Sequence, residues 1–132
     1  MHNSQTQFQN ILSPITPEAF IKDYLGQKPL HIRGNPNKFL GLFDWADLNQ
    51  IINLGHIWNA NTFKLILDNE QIPPADYMPQ GILNVKKVST YINKGASVVL
   101  SGMETYCEGS AALAASLQAA IGGLSSCNLY CS

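Results

Sequence analysis

The chain has 132 residues, of which 45% are hydrophobic and 13% charged, and a net charge of −1. That length suits one domain with a core of its own, and the charged share falls well below the ~25% typical of soluble domains, so the chain is either well buried or short of a partner surface. The composition excludes three classes: no basic run offers a phosphate footprint for nucleic acid, no apolar run nears the roughly 18 residues of a membrane span, and the opening Met-His-Asn-Ser-Gln-Thr-Gln lacks the basic and apolar regions of a secretory signal.

Residues 1–13 are polar and read as a flexible N-terminus. The first firm element follows at Thr16-Pro-Glu. Thr16 suits an N-cap, Pro17 the first helical position, and Glu18 the positive end of the dipole. Phe20, Ile21, Tyr24 and Leu25 form one apolar stripe, and Gly26 ends the helix. Lys28 to Gly34 reads as a short strand, and Asn35-Pro-Asn-Lys38 as a loop. Asp44 caps a second helix, with Asp47 in its first turn; Leu48, Ile51 and Ile52 face inward, and Gly55 stops it. His56 to Asn61 is a turn-like connector, and Thr62 to Asp68 a clear strand. Residues 68–81, with three prolines, read as a long loop of the kind that carries function or is disordered.

Asn84 caps a third helix with Val85, Val88 and Ile92 on its buried face and Gly95 at its end. Ala96 to Gly102 is an apolar strand. A fourth helix, Ser110 to Ile121, buries Leu113, Leu117, Ala120 and Ile121 and ends at Gly122-Gly123. The last stretch, Leu124 to Ser132, reads as a strand that stops where the sequence stops. Its period of two sets Cys127, Leu129 and Cys131 on one face and Asn128 and Tyr130 on the other. The alternation of helices and strands predicts an α/β or α+β domain without internal repeats.

Candidate chemistry is sparse. His2 lies in the tail, His31 in a predicted strand where it reads as a core residue, and His56 beside a helix end; none stands in a His-x-Asp or His-x-Glu window. Phosphate-loop and nucleophile-elbow motifs are missing. Asp68, Glu70 and Asp76 read as solvated carboxylates, and Trp45 and Trp58 as packed rings. Cys107, Cys127 and Cys131 read as reduced, buried thiols of a cytoplasmic protein, since they have neither Cys-x-x-Cys spacing nor a nearby histidine. This leaves no catalytic or metal-ligating residue to nominate. Asn128 and Tyr130, an amide and a phenol on one strand face, are suited to orienting a polar ligand.

Three blocks, in order, resemble the front part of the JmjC-type, cupin-fold oxygenases, in particular the ribosomal-oxygenase-like branch. They are Ile15 to Gly34, with its helix, Lys-Pro step and Arg-Gly close; Gly41-Leu-Phe-Asp-Trp-Ala-Asp-Leu48; and Asn128-Leu-Tyr130 after an amphipathic helix. The resemblance spans residues 14–132, taken as the N-terminal portion of a single domain. It implies an α+β fold in which N-terminal helices and mixed strands lead into a double-stranded β-helix, truncated in this chain. It also implies Fe(II), 2-oxoglutarate, and a protein or peptide substrate hydroxylated on a side chain. Asn128 and Tyr130 would then be substrate-binding. The family's His-x-Asp, distant histidine and cosubstrate-binding lysine have no counterpart here, so the chain is expected to hold no cofactor and to be inactive alone. Alternatively, the chain is a non-catalytic interaction module or remnant, pairing through its open sheet edge with itself or with a missing C-terminal half. A further alternative is a small binding protein that uses the 68–81 loop.

Overall fold

The computed structural model describes residues 4–132, with side chains from Gln7 onward. It is an α+β protein built on a four-stranded antiparallel sheet. The helices are α1 (Ser4–Leu12), α2 (Pro17–Asp23), α3 (Trp45–Asn53), α4 (Pro74–Tyr77), α5 (Val85–Asn93) and α6 (Glu108–Ile121). The strands are β1 (Phe63–Leu67), β2 (Glu70–Gln71), β3 (Ser97–Ser101) and β4 (Asn128–Cys131), in the order β2-β1-β3-β4. All three pairings are antiparallel, where mixed strands were expected.

Local capping chemistry sets the helix starts. The Thr16 side chain accepts from the Ala19 N–H at 3.2 Å, and the Asn84 side chain from the Lys87 N–H at 3.1 Å. Asp44 and Asp47 close a full capping box: Asp44 Oδ1 accepts from the Asp47 N–H at 2.9 Å, and Asp47 Oδ2 from the Asp44 N–H at 3.0 Å. Helix α6 ends at Gly122 with φ +72°, which an L side chain rarely adopts.

One core fills the space between the sheet and the helices. Phe63, Leu65, Val98 and Leu100 project from β1 and β3 toward Leu48, Ile51, Trp58, Tyr77, Met78, Leu83, Val88 and Met103. Trp58, packed as predicted, lies 4.8 Å from the Tyr106 ring and 5.6 Å from Phe63, centroid to centroid, and donates from its indole N–H to the Ile51 carbonyl at 3.0 Å. The Tyr77 hydroxyl is buried and donates to the Phe63 carbonyl at 3.2 Å; burial pushes its pKa up.

Several expectations are corrected. The opening, read as flexible through residue 13, is helical from Ser4 to Leu12, with Phe8 and Leu12 buried and the helix lying against α6. Phe8, Ile11 and Leu12 sit at helical spacing, and that short stripe finds a partner only in the folded chain. Lys28 to Gly34 is not a strand: among the described residues no strand pairs with it. Residues 68–81 are no open loop. Asp68 and Asn69, at φ 52° and 65°, close a two-residue hairpin into β2, and Pro74 starts the short α4, which carries Tyr77 into the core. Ile92 and Ile121 are exposed, while Tyr91, Ala114 and Ser116 turn inward. The last strand is shorter than Leu124 to Ser132, starting only at Asn128.

Candidate functional site

Strand β4 pairs with β3 on one side, Asn128 opposite Ser101 and Tyr130 opposite Val99, and is the outermost strand of the sheet on its other side. Its alternation is as the sequence predicts. Cys127, Leu129 and Cys131 pack against the core, while Asn128 and Tyr130 share the outer face with Ser101, Val99 and Lys64 across the sheet. Both are exposed, Tyr130 at 70%.

The entry to β4 is held by Glu104. Its carboxylate accepts from the Cys127 backbone N–H at 2.8 Å and from the Ser126 hydroxyl at 3.1 Å, and the Met103 N–H donates to the Cys127 carbonyl at 2.9 Å. The hydrogen bond from Cys127 is the main reason the Glu104 pKa lies below the usual carboxylate range. Burial raises the Cys127 thiol, and the negative charge of Glu104 adds to the effect. At the far end, the Ser132 and Ser97 hydroxyls stand 2.7 Å apart.

Beside β4 runs a groove of about 340 Å³, lined by Phe43, Asp44, Trp45, Leu48, Leu129, Tyr130 and Cys131. Trp45, expected to pack, is 71% exposed. It opens α3 and stands at helical spacing with Leu48 and Ile52. Asp44 is the only charged residue of the lining, and its Oδ1 is occupied by the backbone N–H groups of Ala46 and Asp47 at 2.7 and 2.9 Å. Of the two nominated substrate-binding residues, Tyr130 borders this groove and Asn128 does not. The groove was missed from the sequence; its only signal there was a tryptophan placed directly after an N-cap.

The other nominated residues are dispersed. His31, expected in the core, is exposed on the irregular segment after α2, and His56 is exposed on a single turn after α3; His2 lies outside the described residues. Asp68 and Glu70 are exposed at the hairpin, and the Asp76 Oδ2 accepts from the Tyr91 hydroxyl at 3.4 Å. The three cysteines are free and half-buried. Among the described residues no three His, Cys, Asp or Glu side chains come together to hold a metal ion. No described helix is long and apolar enough to cross a membrane. No protein-family model matches the chain, and no curated protein matches it.

Proposed function

We infer that this chain is the N-terminal, substrate-side portion of a cytoplasmic protein resembling the JmjC-type, Fe(II)- and 2-oxoglutarate-dependent side-chain hydroxylases, and that it is inactive on its own. The observation that carries this reading is the position of Asn128-Leu-Tyr130. The segment follows α6 and forms the outermost strand of an antiparallel sheet, with the sheet open on that side. In the resembled fold, further strands would add there to complete a double-stranded β-helix. Asn128 and Tyr130 would face the protein or peptide substrate by hydrogen bonding. Iron and 2-oxoglutarate would be held by residues that this chain does not supply, and no chemical step is assigned to its own side chains.

The test is turnover of 2-oxoglutarate with Fe(II), measured on the 132-residue chain and on any longer product of the same reading frame. Activity confined to a longer product that carries His-x-Asp after Ser132 supports the reading. Turnover or tight iron binding by the chain alone overturns it, as does a reading frame that stops at Ser132.

The open edge of β4 favours a second reading, a non-catalytic module that pairs through that edge. It predicts a stable complex or homodimer, and a strictly monomeric chain that captures nothing would exclude it.

A further inference from the structure

We propose that the polar pocket at the end of α1 is a binding site for a small phosphate monoester, with Arg33 holding the phosphate group. This goes beyond both functional readings and depends on neither.

Three pieces of chain wall this pocket of about 300 Å³: the end of α1, with Asn10 and then Ser13; the segment after α2, with Arg33; and the turn that carries Asn35, Asn37 and Lys38. All six residues are polar. Among the described residues the lining has two cations and no carboxylate. The sequence explains why. No Asp or Glu occurs in residues 1–17 or 24–43, the stretches that supply the walls, although the whole chain has a net charge of −1. A ligand here meets donors and positive charge without a competing acid.

The hydrogen bonds already made show which donors remain. Lys38 Nζ donates to the Ser13 carbonyl at 2.8 Å, which satisfies a carbonyl at the end of α1 and holds the ammonium at the pocket wall. Asn35 Oδ1 accepts from the Asn37 N–H at 2.9 Å, so the amide's NH₂ is the end left to meet a ligand. Arg33 is exposed and brings a planar fork of five N–H donors, which matches two phosphate oxygens at once.

Charge and size choose the ligand. Arg33 and Lys38 supply two positive charges, and the carbonyl end of α1 opposes them with about half a charge, leaving roughly +1.5. A phosphate monoester carries about −1.5 to −2 near neutral pH and presents three acceptor oxygens. A carboxylate has a single charge and two oxygens, too few for the donors gathered here. The volume stands at the lower end of the range for ligand pockets, about 300–1,000 Å³, which points to a small molecule.

The experiment titrates the isotopically labelled 132-residue chain with methyl phosphate at constant ionic strength, followed by NMR. Arg33 is the chain's single arginine, so its Nε–H resonance is identified without ambiguity. The expected result is saturable shifts at Arg33 Nε–H and at the Asn35 and Asn37 side-chain amides, with the Trp45 and Trp58 indoles unmoved. Dimethyl phosphate and acetate, each with one negative charge, should bind at least about tenfold more weakly. Arg33→Gln, read at the asparagine amides, should weaken methyl phosphate binding by about tenfold or more, as loss of a charge-assisted hydrogen bond does. Arg33→Lys should restore only part of the affinity, because an ammonium lacks the planar fork. The position is exposed, so both variants should keep the native amide spectrum elsewhere. The inference is overturned if the shifts do not saturate, if the three anions bind alike, or if Arg33→Gln binds as the native chain does. A phosphoserine peptide or phosphatidic acid vesicles bound more than tenfold tighter than methyl phosphate would overturn the assignment to a small molecule.

Discussion

Glu104→Gln isolates the charge that fixes the start of β4. In the native chain the carboxylate accepts from the Cys127 N–H at 2.8 Å and from the Ser126 hydroxyl at 3.1 Å. A hydrogen bond to a charged group contributes about 1.5–3 kcal/mol and a neutral one about 0.5–1.5. Glutamine keeps a carbonyl acceptor for Cys127, so the substitution removes only the charge-assisted part. Partial exposure of Glu104 screens that part further, leaving a loss of about 1 kcal/mol. Glu104→Ala removes the acceptor altogether and should cost about 2 kcal/mol. The damage should be local. Native-state hydrogen exchange at Asn128–Cys131 should speed up about fivefold in the glutamine variant, while amides of β1 and β3 keep their rates. The pH dependence has a definite sign. The folded-state pKa of Glu104 is depressed, so its contribution is fully present above the unfolded-state value and is lost as pH falls through the folded-state value. The gap between native chain and glutamine variant should therefore be full near neutrality and close in acid. Equal exchange rates for β4 in both proteins at neutral pH, or a gap that widens on acidification, would refute the reasoning.

Other substitutions probe the scaffold under the site. Phe63→Ala empties a fully buried position between Trp58 and Tyr77 and should lose about 3–5 kcal/mol in urea unfolding, enough to unfold a marginal domain. Gly109→Ala, in a helix, would ordinarily stabilise by up to about 1 kcal/mol. Here a Cβ would overlap the Leu42 carbonyl, so the substitution should destabilise, with the midpoint falling rather than rising. Asp44→Ala removes the N-cap of α3 and should cost about 1 kcal/mol, read as a lower urea midpoint at unchanged slope.

Signals carried by neighbouring residues were legible in the sequence. The three side-chain caps at Thr16, Asp44 and Asn84 are contacts within three residues, so residue type and spacing decide them without the rest of the fold. The alternation of β4 was likewise readable, because one face lies on the core, and β1 and β3 were legible as strands. Signals that need a partner failed. Lys28 to Gly34 has strand character, yet strand character yields a strand only where another edge accepts it. The prolines of residues 68–81 read as chain-breakers, but Pro74 occupies the first position of α4, where its missing N–H costs nothing. In α5, the neighbouring Tyr91 and Ile92 lie about 100° apart on the helix, and the direction of the sheet decided between them.

The candidate site divides along the same line. Which face of β4 holds Asn128 and Tyr130 follows from period two alone. The groove does not, because it arises from a mismatch between elements. The spacing of Trp45, Leu48 and Ile52 defines one stripe, and periodicity treats all three as core. Leu48 is buried in the core, whereas Trp45 is exposed in the groove beside β4. An exposed tryptophan in line with a buried stripe therefore marks where the stripe leaves the core. One more strand outside β4 would lie beside the groove that Trp45 borders. Both functional readings meet on this point: the hydroxylase reading adds strands of the same polypeptide, and the edge-pairing reading adds one from another. Trp45 is thus the residue whose environment should change most in either case, and its indole resonance is the common reporter.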